Sequence, residues 1–221
     1  VANAMFGLPE KEMKKYFQEV EDKLLEETNY TLELQRSQEI STTCTNIPDI
    51  FFPVYYPEYS SPKVLVMDWL EGDHLKEFLD KKPSQEVKNR IAQALWDFYN
   101  HQLHTALAIH ADPHPGNFLL QKDGRVGVID FGCVKVVPED FYYHYFPLLV
   151  PEIRNNQAVV DQLLSHIEII FPQDSPAVKV ELQTAFLEMT ALLSRPFETE
   201  NFQFTHEFSF GAAVKVVENL S

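Results

Sequence analysis

The stretch from Asn117 to Asp130 limits what this chain can fold into more than any other. Two short apolar runs, Phe118-Leu119-Leu120 and Val126-Gly127-Val128-Ile129, flank Lys122-Asp123-Gly124-Arg125. Asp-Gly is a turn signal because glycine takes positive φ at no steric cost. The segment therefore predicts a tight hairpin that returns Asp130 to the end where Asn117 begins. Asp112 stands five positions before Asn117 in His110-Ala111-Asp112-Pro113-His114-Pro115-Gly116-Asn117, and Asp130 opens Asp130-Phe131-Gly132. An acid, a carboxamide and a second acid are the groups that phosphoryl transfer from a magnesium nucleotide requires. One carboxylate orients or deprotonates the acceptor; the amide and the other carboxylate hold the metal. Asp-Phe-Gly alone is a common tripeptide. A D-x4-N upstream on the same hairpin makes it specific.

Around that hairpin the remaining patterns fall into order. Pro9 opens a helical periodicity through Met13, Phe17, Val20 and Leu24 that continues toward Glu39. A polar break at 41–46 precedes two expected strands, Ile50–Tyr56 and Lys63–Trp69, joined by a Ser60-Ser61-Pro62 turn. Asp73 is the expected N-cap of a short helix, and Ser84 that of a longer one reaching Leu107, with Val87, Ile91, Leu95 and Phe98 as its buried stripe. Beyond Pro138 the chain reads as helices punctuated by prolines. This order predicts an α+β, mainly helical fold: residues 71–221 as a protein-kinase-like large lobe, with catalytic loop 110–117 and Asp-Phe-Gly at 130–132. Residues 1–70 are expected to be the remnant of a small lobe, its last helix and strands, ending in a hinge at 67–70.

Charge narrows the partners. The 221 residues carry 33 acids against 18 Lys and Arg, a formal charge of −15. That balance repels nucleic-acid phosphate and anionic lipid heads, so no nucleic-acid partner is expected. The two cysteines, Cys44 and Cys133, match no zinc or disulfide framework. No stretch approaches the roughly 20 apolar residues that span a bilayer, and the expected location is cytoplasmic or peripheral to a membrane. None of the seven glycines sits in a G-x-G-x-x-G or G-x4-G-K-[ST] loop, and no strand carries an Ala-x-Lys. The chain begins Val1-Ala2-Asn3, so it is expected to be cut from a longer protein. An N-terminal lobe of that protein would supply the phosphate loop and nucleotide lysine, and the 221 residues alone would bind nucleotide weakly or not at all.

Three segments together, Leu25-Glu26-Glu27-Thr28-Asn29-Tyr30-Thr31-Leu32-Glu33, HADPHPGN at 110–117 and VIDFG at 128–132, resemble the UbiB (aarF-domain) group of atypical protein-kinase-like proteins. The resemblance covers most of the chain. It implies a kinase-like fold that binds ATP with Mg²⁺, hydrolyses it weakly, and supports quinone biosynthesis or lipid homeostasis at membranes. Position by position, Asp112 is similar to the catalytic-loop aspartate, Asn117 to the second metal ligand and Asp130 to the main magnesium ligand. Glu33 matches the glutamate that ion-pairs with the small-lobe lysine, and Glu27 the first acid of an E-x-D latch. Met67-Asp68-Trp69-Leu70 resembles a gatekeeper and hinge, in which the backbone of Asp68 and Leu70 would bond the adenine. The chain departs from the pattern at Asn29, which stands where the latch has its aspartate.

The acceptor class follows from a short interval. Only five residues lie between Gly132 and Pro138, which leaves no long activation segment to dock a peptide and favours a small or lipid-like acceptor, such as a quinone precursor. Two other readings stay open: an aminoglycoside- or choline-kinase-like phosphotransferase, whose loops have a similar H-x-D-x-H-x-x-N pattern, and a nonenzymatic pseudokinase that senses nucleotide. His110 is read as structural, packing beneath the metal-binding segment. Cys133 and the aromatic run 141–146 are read as packing residues.

Overall fold

The structure, a computed structural model, describes residues 17–18 and 28–205. The chain divides into two compact units that meet between Val137 and Pro138.

In the first unit, α1 spans Tyr30–Thr43 and buries Leu34, Ser37 and Ile40, three residues apart each. Phe17 and Gln18 are helical, but Thr28 and Asn29 are not, so the continuous helix expected to run toward Glu39 is interrupted there. The Asn29 carbonyl accepts from the N–H groups of Leu32 and Glu33, and this starts a fresh helix. Met13, Val20, Leu24 and Glu27 lie outside the described residues. At its other end α1 runs into the expected polar break, because the Thr42 and Thr43 hydroxyls donate back to the Gln38 and Glu39 carbonyls.

β1 (Ile50–Phe51) is far shorter than the expected Ile50–Tyr56 strand. Pro53 has no N–H with which to continue a ladder. The expected strand Lys63–Trp69 is likewise reduced to two antiparallel bridges, Tyr55 to Met67 and Ser61 to Val64, although the path of the hairpin is as expected. α2 (Leu75–Asp80) is capped at His74 instead of Asp73, and the His74 N–H donates to the Glu77 carboxylate at 3.4 Å. Asp73 is drawn away by a bridge to Leu120, exchanging N–H···O bonds of 2.9 and 2.8 Å, and its carboxylate pairs with Lys81 at 2.6 Å.

α3 covers Gln85–His101, with the Ser84 hydroxyl accepting from the Val87 N–H. The helix expected to reach Leu107 widens at Gln102–Ala106 into a π turn that ends with Leu107 in the left-handed region (φ 49°). After it come β2 (Ala108–His110), β3 (Phe118–Leu120), β4 (Val126–Val128) and β5 (Val134–Val136). β3 and β4 form the expected antiparallel hairpin around Gly124, whose φ is +95°. β1 adds to it in parallel through β4, and β2 pairs separately with β5. Phe98, Val126, Val128 and Phe131 are fully buried at the centre of this unit, with Ile91, Ala94, Phe118 and Leu120 around them.

The second unit is helical, as the proline spacing predicts: α4 (Glu139–Tyr145), α5 (Pro151–Arg154), α6 (Gln157–His166) and α7 (Pro176–Ser194). Pro151 and Pro176 sit in the first turns of α5 and α7, where their missing N–H costs nothing. Its core is Leu148, Val160, Leu164 and Ile170. Tyr142 packs on Phe146 and Tyr145 meets Phe186 edge-on, but Phe141 and Tyr143 are exposed, so the run 141–146 packs only in part, because a surface helix turns one face to solvent. Among the described residues no helix is long and apolar enough to cross a membrane.

Candidate active site

The β3–β4 hairpin sets the geometry. The Ile129 N–H donates to the Asn117 carbonyl at 3.1 Å, closing the open end of the hairpin and placing Asn117 beside Asp130. Asn117, nearly buried, aims its Nδ2 at Asp112, donating to the carboxylate at 2.9 Å and to the main-chain carbonyl at 3.1 Å. Asp112 is steadied further by the His114 N–H, which donates to its Oδ1 at 3.3 Å. Asp130 Oδ1 accepts from the Gly132 N–H at 2.8 Å. All three side chains face one cavity of about 600 Å³, together with Glu33 of α1, Met67 and Cys133.

Behind the cavity the support is apolar. Phe131 is fully buried, its ring 5.2 Å from His110 and 5.9 Å from Phe52. His110 is itself buried, and its Nδ1 accepts from the Asp112 N–H at 3.2 Å while Nε2 has no hydrogen-bond partner. Burial pushes the His110 imidazole below its ordinary pKa, against the opposing pull of Asp130 and Asp112. The neutral ring serves as packing between the catalytic loop and Phe131, the structural role expected of it.

The electrostatics of the front are acidic. Burial, and then the neighbouring Asp130 carboxylate, push the Glu33 carboxyl up to about 7. The Tyr55 phenol rises to about 12, chiefly from burial, with Glu33 and Asp130 adding to it. Among the described residues no Lys or Arg lines the cavity. Three carboxylates and one amide make an all-oxygen donor set of the kind that Mg²⁺ takes. Burial is the larger cause of the Glu33 shift and the Asp130 charge the smaller; a cation bound beside Asp130 would relieve the second.

The hinge residues divide. Met67 lines the cavity; Asp68 and Leu70 do not. The Asp68 carboxylate accepts from the Tyr56 hydroxyl at 2.7 Å, and its N–H donates to the Val54 carbonyl. Leu70 packs close to Gly127, where an added Cβ would meet it at 3.2 Å. Glu27 lies outside the described residues.

Two contributors escaped the sequence reading. Arg36, one helical turn after Glu33 on α1, donates through Nη1 to the Gly132 carbonyl at 3.0 Å and so ties the helix to the Asp-Phe-Gly segment. The i, i+3 spacing from Glu33 was the available signal. Gln102 is fully buried in the π turn. Its Oε1 accepts from the His110 N–H at 2.7 Å and its Nε2 donates to the Phe98 carbonyl at 3.2 Å. No local pattern announces that turn.

A catalytic loop and an Asp-Phe-Gly segment converging on one acidic cavity define a kinase-like domain. Residues 1–164 match the family described as the ABC1 atypical kinase-like domain, and the chain belongs to that family. The resemblance to the aarF-domain group is thereby borne out. Among relatives, an uncharacterized aarF domain-containing protein kinase of Arabidopsis thaliana, At1g71810, chloroplastic, is 36% identical over 111 residues, 50% of this chain and 15% of that protein. AarF domain-containing protein kinase 1 of Xenopus tropicalis is 28% identical over 145 residues, 63% of this chain and 28% of that protein. The chain thus spans only 15% to 28% of the length of these two curated relatives. Rv3197 from Mycobacterium tuberculosis, solved in complex with erythromycin, matches in fold with a TM-score of 0.65 at 19% identity, covering 92% of this chain and 55% of that one.

Proposed function

We propose that this chain supplies the acid-and-metal side of an ATP site in an atypical kinase or ATPase. The convergence of Asp112, Asn117 and Asp130 on a single acidic cavity carries the reading. In it, residues 1–70 are the remnant of a small lobe ending in the 67–70 hinge, residues 71–221 belong to the large lobe, and the rest of the small lobe comes from upstream segments of a longer protein. Mg²⁺, when bound with nucleotide, would neutralise phosphate charge. The chain's own groups divide the remaining work. Asp130 offers a carboxylate whose orientation is fixed by the Gly132 N–H. Asn117 spends its Nδ2 on Asp112 and keeps its carbonyl oxygen for the metal. Asp112, held by Asn117 and the His114 N–H, receives the proton of an acceptor hydroxyl or of water. Glu33 is the partner for a lysine from the upstream lobe.

A small or lipid-like acceptor, such as a quinone precursor, fits the short segment after Gly132. Val134–Val136 is committed to β5, paired with β2, leaving no free loop to present a peptide. Function at a membrane periphery accords with such an acceptor. The test is phosphate release by the full-length protein with Mg-ATP. Asp130→Asn is expected to lower Mg²⁺-dependent turnover by about 100-fold or more. Turnover unchanged in that variant would overturn the metal assignment, and nucleotide binding without turnover in the wild type would make the domain a nucleotide sensor.

A further inference from the structure

We propose that Asp140, His144 and His166 form a second cation site, chemically distinct from the acidic cavity, that takes a zinc-class divalent ion. This inference rests on the helical unit alone and stands whether or not the phosphoryl-transfer reading does.

Asp140 and His144 lie four residues apart on α4, so they share one face of it. His166 closes α6 and brings its ring to the same place. Its Nε2 lies 2.9 and 3.0 Å from the two Asp140 carboxylate oxygens. One ligand atom from each of the three residues fits within 4.8 Å of the others. Neighbouring ligands of a tetrahedral zinc ion, each about 2.0 Å from the metal, stand about 3.3 Å apart. The Asp140–His166 pair is already close to that spacing.

The hydrogen-bond pattern bears on ligation as well. His144 Nδ1 lies 2.6 Å from the Asp140 main-chain carbonyl. A carbonyl only accepts, so Nδ1 carries the hydrogen, and in the neutral ring Nε2 carries the lone pair. A ligating histidine commonly has its other nitrogen held in this way. His166 Nε2 faces a carboxylate and therefore donates to it; an entering metal would replace that proton. The two rings stack with centroids 3.4 Å apart and planes 12° from parallel. Ligation by both rings requires one of them to turn out of the stack. Their exposure, 28% for the His144 side chain and 44% for His166, leaves room for that rotation, and the 74%-exposed Asp140 leaves the entry side open to water as a fourth ligand.

The donor set chooses the ion. Two imidazoles and one carboxylate suit zinc and its neighbours, whereas Mg²⁺ takes oxygen and surrenders water reluctantly. An ion held there would clip α4 to α6 across the sequence between residues 144 and 166.

The test uses the 221-residue chain stripped with EDTA, titrated with ZnCl2 by calorimetry and followed by thermal unfolding. One site per chain is expected, with a rise in Tm and no displacement by millimolar Mg²⁺. His166→Gln and Asp140→Asn should each weaken binding at least about tenfold, with far-UV circular dichroism unchanged. CoCl2 should give the visible band of four-coordinate Co²⁺ in the wild type and lose it in both variants. Zinc binding of equal strength in the variants, which would place the ion on other histidines, overturns the proposal. Absence of binding overturns it too.

Discussion

The acidic cavity and the Asp140–His144–His166 cluster both gather ligand-type side chains, but they hold them differently. In the cavity, Asp112, Asn117 and Asp130 are fixed by main-chain groups and by one another, over a floor of buried Phe131 and His110. In the cluster, among the described residues, the three side chains hold each other and the main chain of α4, at the surface of a helical unit. The first arrangement is preorganised by the core, so its geometry persists only while the packing behind it does. The second is assembled from partly exposed side chains, and a ligand has to turn a ring to use it. Damage behind the site should therefore cost stability in the first case and little in the second.

Phe131→Ala should show the largest effect. Removing a fully buried aromatic typically costs about 3–5 kcal/mol, readable in urea unfolding of the chain, whereas His166→Ala should cost no more than about 1 kcal/mol. Similar costs for the two would break the contrast.

Glu33 sharpens it through pH. Its carboxyl is raised from 4.5 to about 7 by burial and by Asp130, so between those values the folded chain keeps a proton the unfolded chain has released. Stability from this group therefore falls as pH rises through that window, with the full cost present above 7 and none below 4.5. Glu33→Gln should be more stable than the wild type at pH 8, by about 2 kcal/mol after allowance for solvent screening, and equal to it at pH 4. A pH-independent difference between the two proteins would show that neither burial nor Asp130 raises the Glu33 carboxyl.

Arg36→Met should have a smaller effect. Losing the bond to the Gly132 carbonyl removes about 1.5 kcal/mol and should speed amide exchange at Gly132. Unaltered exchange there would mean that α1 does not hold the Asp-Phe-Gly segment.

The parts legible in the sequence were the local ones. The Asp123-Gly124 turn, the interval between Asn117 and Asp130 and the five-residue step from Asp112 each lie within about one supersecondary unit, and the structure reproduces them. The Ser84 cap and the Ile91–Phe98 stripe were equally local. Long-range partners were not legible. Nothing near Ile50 says that it pairs in parallel with Val126. Nothing near Gln102 says that it will sit buried beneath His110. Asp73 looked like a cap, and lost that place to His74 only because Leu120, far along the chain, claims its backbone. Asp140 and His144 show an i, i+4 pair in the sequence, but His166 joins them only once α6 has folded against α4.

Paramagnetic broadening by Mn²⁺ tests the central claim most directly, because it detects weak occupancy that a thermal shift misses. Amide spectra of the chain titrated with MnCl2 and ATP should lose the signals of Asn117, Asp130 and Gly132 first, and Asp130→Asn should abolish that selectivity. Selective loss that survives in Asp130→Asn, or signals at 117, 130 and 132 that persist while others vanish, would contradict a cation held by Asn117 and Asp130 beside Asp112.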